Sequence, residues 1–210
     1  MKYNFISIEG NIGSGKTSLA KKLALDFDSK LILEEFEDNP FLPKFYRNRD
    51  QYAFPLELFF MAERYHQLKN KKDKDLFTPL TITDYFFVKS RLFAQNNLKQ
   101  DELDLFSRLF NIMSSSIPSP DLVIYLYSDI NRLQNNIRKR GRSFEQNISD
   151  EYLQNIQNIY LDYLKKQTSF PVILLDITKL DFIENHTVYK KIKDLLNHKY
   201  NVGVNNVLLA

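Results

Sequence analysis

The chain has no cysteine in its 210 residues, so it can form neither disulfides nor thiolate metal sites. Its three histidines, His66, His186 and His198, show no metal-ligand spacing and receive no role. No apolar run approaches membrane-spanning length, and a strand-like run begins at Tyr3 with no secretory leader before it. A cytoplasmic protein with no membrane partner is therefore expected. Charge of one sign is scarce as well: 29 Lys and Arg stand against 26 Asp and Glu, a formal net charge of +3. The basic residues gather in part at Arg138-Lys139-Arg140-Gly141-Arg142, with no interleaved aromatics, which points to a local anion site and away from a nucleic-acid partner. Glycine occurs only five times, and none has Asp three positions before it. That removes the D-x-x-G element of guanine-nucleotide switches, even though Thr178-Lys179-Leu180-Asp181 imitates their base-reading loop.

What the chain does have is 43% hydrophobic residues, enough for one domain over residues 1–210 with a substantial core. Strand-like runs at residues 3–9, 30–34, 80–84, 122–127 and 172–176 alternate with helical patterns at 17–27, 52–70, 101–114, 130–140, 149–166 and 185–197. The alternation predicts an α/β fold, a five-stranded parallel sheet flanked by helices. The run at 122–127 is apolar on both faces, as an interior parallel strand requires. Residues 69–75 read as a charged loop, 117–120 as a break before a strand, and 201–210 as a docked or disordered tail. The stripe Leu103, Phe106, Phe110, Met113 has helical spacing and reads as core or a helix contact.

Three of the five glycines fall in Gly10-Asn11-Ile12-Gly13-Ser14-Gly15-Lys16-Thr17, after the first strand-like run and before a helical one. This is a phosphate-binding loop in its required context. Glycines let backbone N–H groups close around phosphate oxygens, Lys16 reaches the β- and γ-phosphates, and the Thr17 hydroxyl ligates Mg²⁺. ATP binding at residues 10–17 is expected. In such sheets ligands sit at the carboxyl ends of strands, where Glu34, Glu35 and Asp84 stand. One such carboxylate can hold Mg²⁺ and another can accept the proton of an attacking hydroxyl.

The ordered segments resemble the deoxynucleoside kinase family over nearly the whole chain, most closely its bacterial deoxyguanosine kinases. The matching stretches are Ile8 to Thr17, then Glu37-Asp38-Asn39-Pro40-Phe41-Leu42-Pro43-Lys44-Phe45-Tyr46, Leu56-Glu57-Leu58-Phe59-Phe60, Arg64-Tyr65, Asp84-Tyr85, and Arg140-Gly141-Arg142-Ser143-Phe144-Glu145 ahead of Tyr152-Leu153. The resemblance implies a P-loop kinase fold with an arginine-rich lid at about residues 138–148. It implies transfer of the ATP γ-phosphate to the 5′-hydroxyl of a deoxynucleoside, with Mg²⁺ held by Asp84 and Thr17 and with Glu34 as general base. Tyr46 and Glu145 would bind the sugar 3′-hydroxyl, while Arg140 and Arg142, acting with Lys16, would grip the donor phosphates. A homodimer and inhibition by the end-product triphosphate are implied as well. Phosphoryl transfer needs these parts on chemical grounds too, since it runs on positioning and neutralised charge.

Two departures bear on specificity. Many relatives carry an arginine after the acid of Asp84-Tyr85-Phe86, and Tyr85 supplies no charge in its place. In the base pocket Glu57 stands where many relatives have glutamine, Ser90 stands near a frequent aspartate, and Arg64 would face the base. An ionised Glu57 only accepts hydrogen bonds, and guanine offers two adjacent donors, N1–H and the 2-amino group, where adenine presents an acceptor at N1. Arg64 would then face guanine O6 and N7. Deoxyguanosine is the expected substrate, with deoxyadenosine, deoxycytidine or a broad range as alternatives. A nucleoside monophosphate kinase would share the fold and loop but need an arginine grip on the acceptor phosphate, and Tyr85 removes the best-placed candidate.

Overall fold

A computed structural model describes residues 2–35, 38–69 and 80–209. The charged loop expected at 69–75 falls, from 70 onward, outside the described residues, as does Glu37 of the matching stretches. Among the described residues, six strands form a single parallel sheet: β1 (Phe5–Gly10), β2 (Lys30–Ile32), β3 (Thr81–Thr83), β4 (Leu122–Tyr127), β5 (Pro171–Asp176) and β6 (Gly203–Val207), in the order β2-β3-β1-β4-β5-β6. The expectation of five strands is corrected to six. The tail at 201–210 pairs its Gly203–Val207 segment with β5 in parallel register, Pro171 opposite Gly203 and Leu175 opposite Val207. Asn205 and Asn206 hide this strand from a hydrophobic pattern, and an edge strand tolerates them.

Helices α1 (Lys16–Asp26), α2 (Leu42–Arg47), α3 (Arg49–Lys69), α4 (Lys89–Asn97), α5 (Gln100–Ser114), α6 (Ile130–Arg140), α7 (Asp150–Lys165) and α8 (His186–Leu195) cover the sheet and its carboxyl edge. The polar starts of three of them are capped as the backbone demands. Asp129 accepts from Arg132 N, Ser149 from Tyr152 N, and Asn185 from Thr187 N and Val188 N. Helix α6 ends on Gly141 at φ 76, a left-handed position, with Arg138, Lys139 and Arg140 in its last turn facing the negative end of the helix dipole.

Alternation along β4 divides the core. Leu122, Ile124 and Leu126 pack toward α1 and α8, with Leu19, Leu23, Tyr189 and Ile192. Val123 and Tyr125 pack toward α6 and α7, with Leu133, Leu153, Ile156 and Tyr160. A third cluster joins α3 and α5 through Met61, Leu68, Phe106 and Phe110, so the apolar stripe of α5 is core on its inner side. Phe110 stacks on Phe87 with ring centroids 5.0 Å apart. Truncating either to alanine costs about 3–5 kcal/mol, because the cavity cannot fully collapse.

Chain order reverses about β1, with β2 and β3 on one side and β4 to β6 on the other. Such a reversal opens a crevice at the carboxyl ends of the strands. Strand β2 stops at Ile32, short of the expected 34, because the Glu34 amide leaves the ladder and donates to Asp84 Oδ1 at 2.8 Å. Glu34 and Glu35 therefore lie in the loop after the strand, turned over the crevice.

Candidate active site

The phosphate loop links β1 to α1 through backbone that side chains disfavour. Gly13 has φ +83, and a Cβ there would lie 2.7 Å from the Leu133 carbonyl oxygen. Asn136 Nδ2 donates to Gly13 O at 2.8 Å, tying the loop to α6, the helix that leads into the arginine-rich segment. The side chain of Asn11 is buried, donates to Leu153 O at 2.7 Å and accepts from Ile12 N at 2.8 Å. Lys16 Nζ donates to Asn11 O at 2.7 Å. Burial and the neighbouring Lys89 cation lower the Lys16 ammonium to about 8, against the pull of Glu9, Glu34 and Asp84.

Thr17 Oγ1 donates to Asp84 Oδ2 at 2.5 Å, across 67 positions of sequence. These two, with Lys16, Glu34, Glu35 and Arg142, line one hollow. Arg140 lines a second hollow against Gly13, Ser14 and Gly15, on the other side of the loop and near Asp181 and Phe182.

A third cleft runs from Lys16 and Glu34 into the space between α2, α3, α4 and α7. Its free space, counting the open mouth, is about 630 Å³. Leu42, Phe45, Leu56, Phe60 and Phe93 give it apolar walls, and Glu57, Arg64, Lys89, Asn97, Arg142, Glu145, Tyr46 and Tyr152 supply polar atoms. Tyr46 stacks on Phe144 at 6.0 Å. Arg140 and Arg142 both form ion pairs with the buried Glu145, the second at 3.2 Å.

Glu34 holds the centre of this charge network. Its Oε1 accepts from Arg64 Nε at 2.9 Å and Nη2 at 2.6 Å, and its Oε2 accepts from Lys89 Nζ at 2.6 Å. Burial alone would raise the Glu34 carboxyl, but Lys89 and Arg64 outweigh it and hold the group down at about 2. Arg64 is 3% exposed, lies over the Phe60 ring at 5.0 Å and donates from Nη1 to Ser90 Oγ at 2.8 Å. A solvent-facing helix arginine is thereby excluded. Glu57 is 1% exposed. Burial pushes its carboxyl up to about 7, against the lowering effects of Arg64 and of the hydrogen bond from Asn97.

A glycine loop with its lysine, a hydroxyl–carboxylate pair beside it and a paired carboxylate at the edge of an apolar cleft are the parts of a P-loop phosphotransferase. The deoxynucleoside kinase family profile matches residues 6–200, and the chain belongs to that family of ATP-dependent kinases. A deoxyguanosine kinase of Bacillus subtilis (strain 168) is 36% identical over 193 residues, spanning 90% of this chain and 93% of that one. A deoxyadenosine/deoxycytidine kinase of the same organism is 28% identical over 203 residues, spanning 92% and 91%. The structure of a deoxyadenosine kinase from M. mycoides with dCMP and a flexible dCDP bound superposes with a TM-score of 0.80 at 25% identity, covering 91% of this chain and 98% of that one. Among the described residues, no helix is long and apolar enough to cross a membrane.

Of the residues singled out in the sequence, Lys16, Glu34, Tyr46, Glu57, Arg64, Arg142 and Glu145 meet in one cleft. Ser90 joins through Arg64, Asp84 and Thr17 lie in the adjoining hollow, and Arg140 faces the phosphate loop. Sequence reading passed over Lys89 and Asn97. Both sit on α4, nine residues long and without a hydrophobic stripe of its own. The signal available for Lys89 was indirect: with Tyr85 uncharged, a buried carboxylate at 34 needs a cation from nearby chain.

Proposed function

We propose that this kinase phosphorylates the 5′-hydroxyl of purine deoxynucleosides in nucleotide salvage, with deoxyguanosine preferred. The observation that carries the base preference is Glu57, whose Oε2 is buried and without a partner among the described residues while Asn97 Nδ2 donates to Oε1 at 2.6 Å. An acceptor so placed suits the N1–H and 2-amino donors of guanine. Arg64 retains N–H groups beyond those given to Glu34 and Ser90, and these suit O6 and N7. The relatives named for deoxyadenosine and deoxycytidine support a second activity on those bases.

In this reading Tyr46 and Glu145 hold the sugar 3′-hydroxyl and bring the 5′-hydroxyl to Glu34. As the 5′-oxygen bonds to the γ-phosphorus and the bond to the bridging oxygen of the departing ADP breaks, Glu34 takes the hydroxyl proton. A carboxylate held this acidic takes the proton late, in keeping with a loose transition state in which little charge builds on the attacking oxygen. Residues 10–17 wrap the donor phosphates, and Lys16, Arg140 and Arg142 neutralise them. Thr17 and Asp84 form a hard-oxygen pair that would hold Mg²⁺; among the described residues no set of three His, Asp or Glu is grouped to hold a metal by itself. Bound with ATP, Mg²⁺ supplies charge neutralisation at the β- and γ-phosphates.

The exposed side of α5, with Leu105, Leu109 and Ile112, is the face we assign to a homodimer. We place the enzyme in the cytoplasm, where its donor is made. Incubation with γ-labelled ATP and deoxyguanosine tests the reading: label is expected in dGMP, and label appearing only as inorganic phosphate would contradict it.

A further inference from the structure

Lys89 opens α4, where the partial positive charge of a helix N-terminus repels a cation. It is also 5% exposed, and Lys16 lies close enough to repel it further. Burying an ammonium there costs stability unless a partner compensates. The partner is Glu34, whose Oε2 accepts from Lys89 Nζ at 2.6 Å while Arg64 holds Oε1. The ammonium also lies over the Phe93 ring, 5.5 Å from its centroid. Tyr85, the residue directly after Asp84, is turned away instead, fully buried with its hydroxyl donating to Gln67. A placement this unfavourable for folding, at the mouth of the nucleoside cleft, is expected where the site needs it.

We propose that Lys89 is a positioning residue for the transfer reaction: its ammonium clamps the second oxygen of Glu34 so that the carboxylate, gripped from two sides, presents its remaining lone pair to the 5′-hydroxyl. Arg64 alone leaves the carboxylate free to pivot about Oε1. The clamp acts on the reacting geometry and not on the nucleobase, so its loss falls on turnover. The inference rests on Glu34 being the base.

Lys89→Gln is expected to lower kcat by roughly 10- to 100-fold, the loss of one hydrogen bond to a charged group, with KM for deoxyguanosine changed by less than about threefold. Lys89→Arg restores the charge and should recover most of the turnover. With Glu34→Gln already in place, Lys89→Gln should add almost nothing, because the group it positions is gone. Unchanged kcat in Lys89→Gln, or a folded Lys89→Arg as slow as the glutamine variant, overturns the proposal. So does full additivity with Glu34→Gln. Should Lys89→Gln fail to fold, Lys89→Met, which keeps the stem, and the arginine variant decide the matter. Near-normal turnover in Glu34→Gln alone would instead remove Glu34 as base, a failure separate from that of the clamp.

Discussion

Asn97 donates to one oxygen of Glu57 at 2.6 Å, and the other oxygen of the same buried carboxyl has no partner among the described residues. The pairing restrains the carboxyl of a residue that lines the cleft. Glu57→Gln keeps the size but adds a donor, so the amide can pair with adenine N1 and its 6-amino group. The ratio of kcat/KM for deoxyguanosine over deoxyadenosine should fall by about 10- to 200-fold. An unaltered ratio would defeat the specificity assignment and leave the kinase assignment standing.

Base preference should also move with pH. Burial places the Glu57 carboxyl near 7, so both of its forms are populated around neutrality. The protonated form donates to adenine N1 or cytosine N3, while the ionised form only accepts and matches guanine. Raising the pH from 6 to 8 should therefore increase the deoxyguanosine-to-deoxyadenosine ratio of kcat/KM in the wild type, and Glu57→Gln should flatten the dependence. A ratio that falls with pH would reverse the proposed protonation logic.

Glu34→Gln should reduce kcat by roughly 10² to 10⁴ through loss of the base, with the nucleoside still bound. Lys16→Ala should abolish activity, since both donor binding and neutralisation of the transferring group depend on it. Steady-state rates together with a nucleoside-binding titration separate the two: if Glu34→Gln turns over normally, Glu35 is the next carboxylate to examine.

The arginine segment should respond to the donor. Arg140 and Arg142 share Glu145 in this structure, and Gly141 between them has nothing within 4 Å of where a Cβ would stand. Triphosphate oxygens compete for the same guanidinium groups. Tryptic cleavage across residues 138–142 should slow when a non-hydrolysable ATP analogue and Mg²⁺ are added, and equal cleavage rates would count against closure over the phosphates.

Much of this site could be read from the chain because its parts are local. The loop at 10–17 packs its glycines, lysine and threonine into eight residues, and β4 and β5 up to Leu175 are continuous apolar runs. Long-range partners were not readable in that way. Spacing alone does not join Thr17 to Asp84, which only the family resemblance pairs, and nothing in the sequence joins Arg64 to Glu34 or shows that the carboxylate, as well as the base, claims its guanidinium. Helices α2 and α4 are too short to show a period, and β6 carries asparagines at Asn205 and Asn206 that mask an edge strand. Lys89 was lost with α4, since a lone lysine beside a serine looks like surface until the fold turns it inward.

The central claim is that the cleft selects an unphosphorylated purine deoxynucleoside and passes it the γ-phosphate of ATP. The most direct measurement is kcat/KM with ATP and Mg²⁺ for deoxyguanosine, deoxyadenosine, deoxycytidine and dGMP, run side by side on the wild-type enzyme. Deoxyguanosine should give the highest value, deoxyadenosine and deoxycytidine lower ones, and dGMP no measurable turnover. Faster phosphorylation of dGMP than of deoxyguanosine would contradict the account.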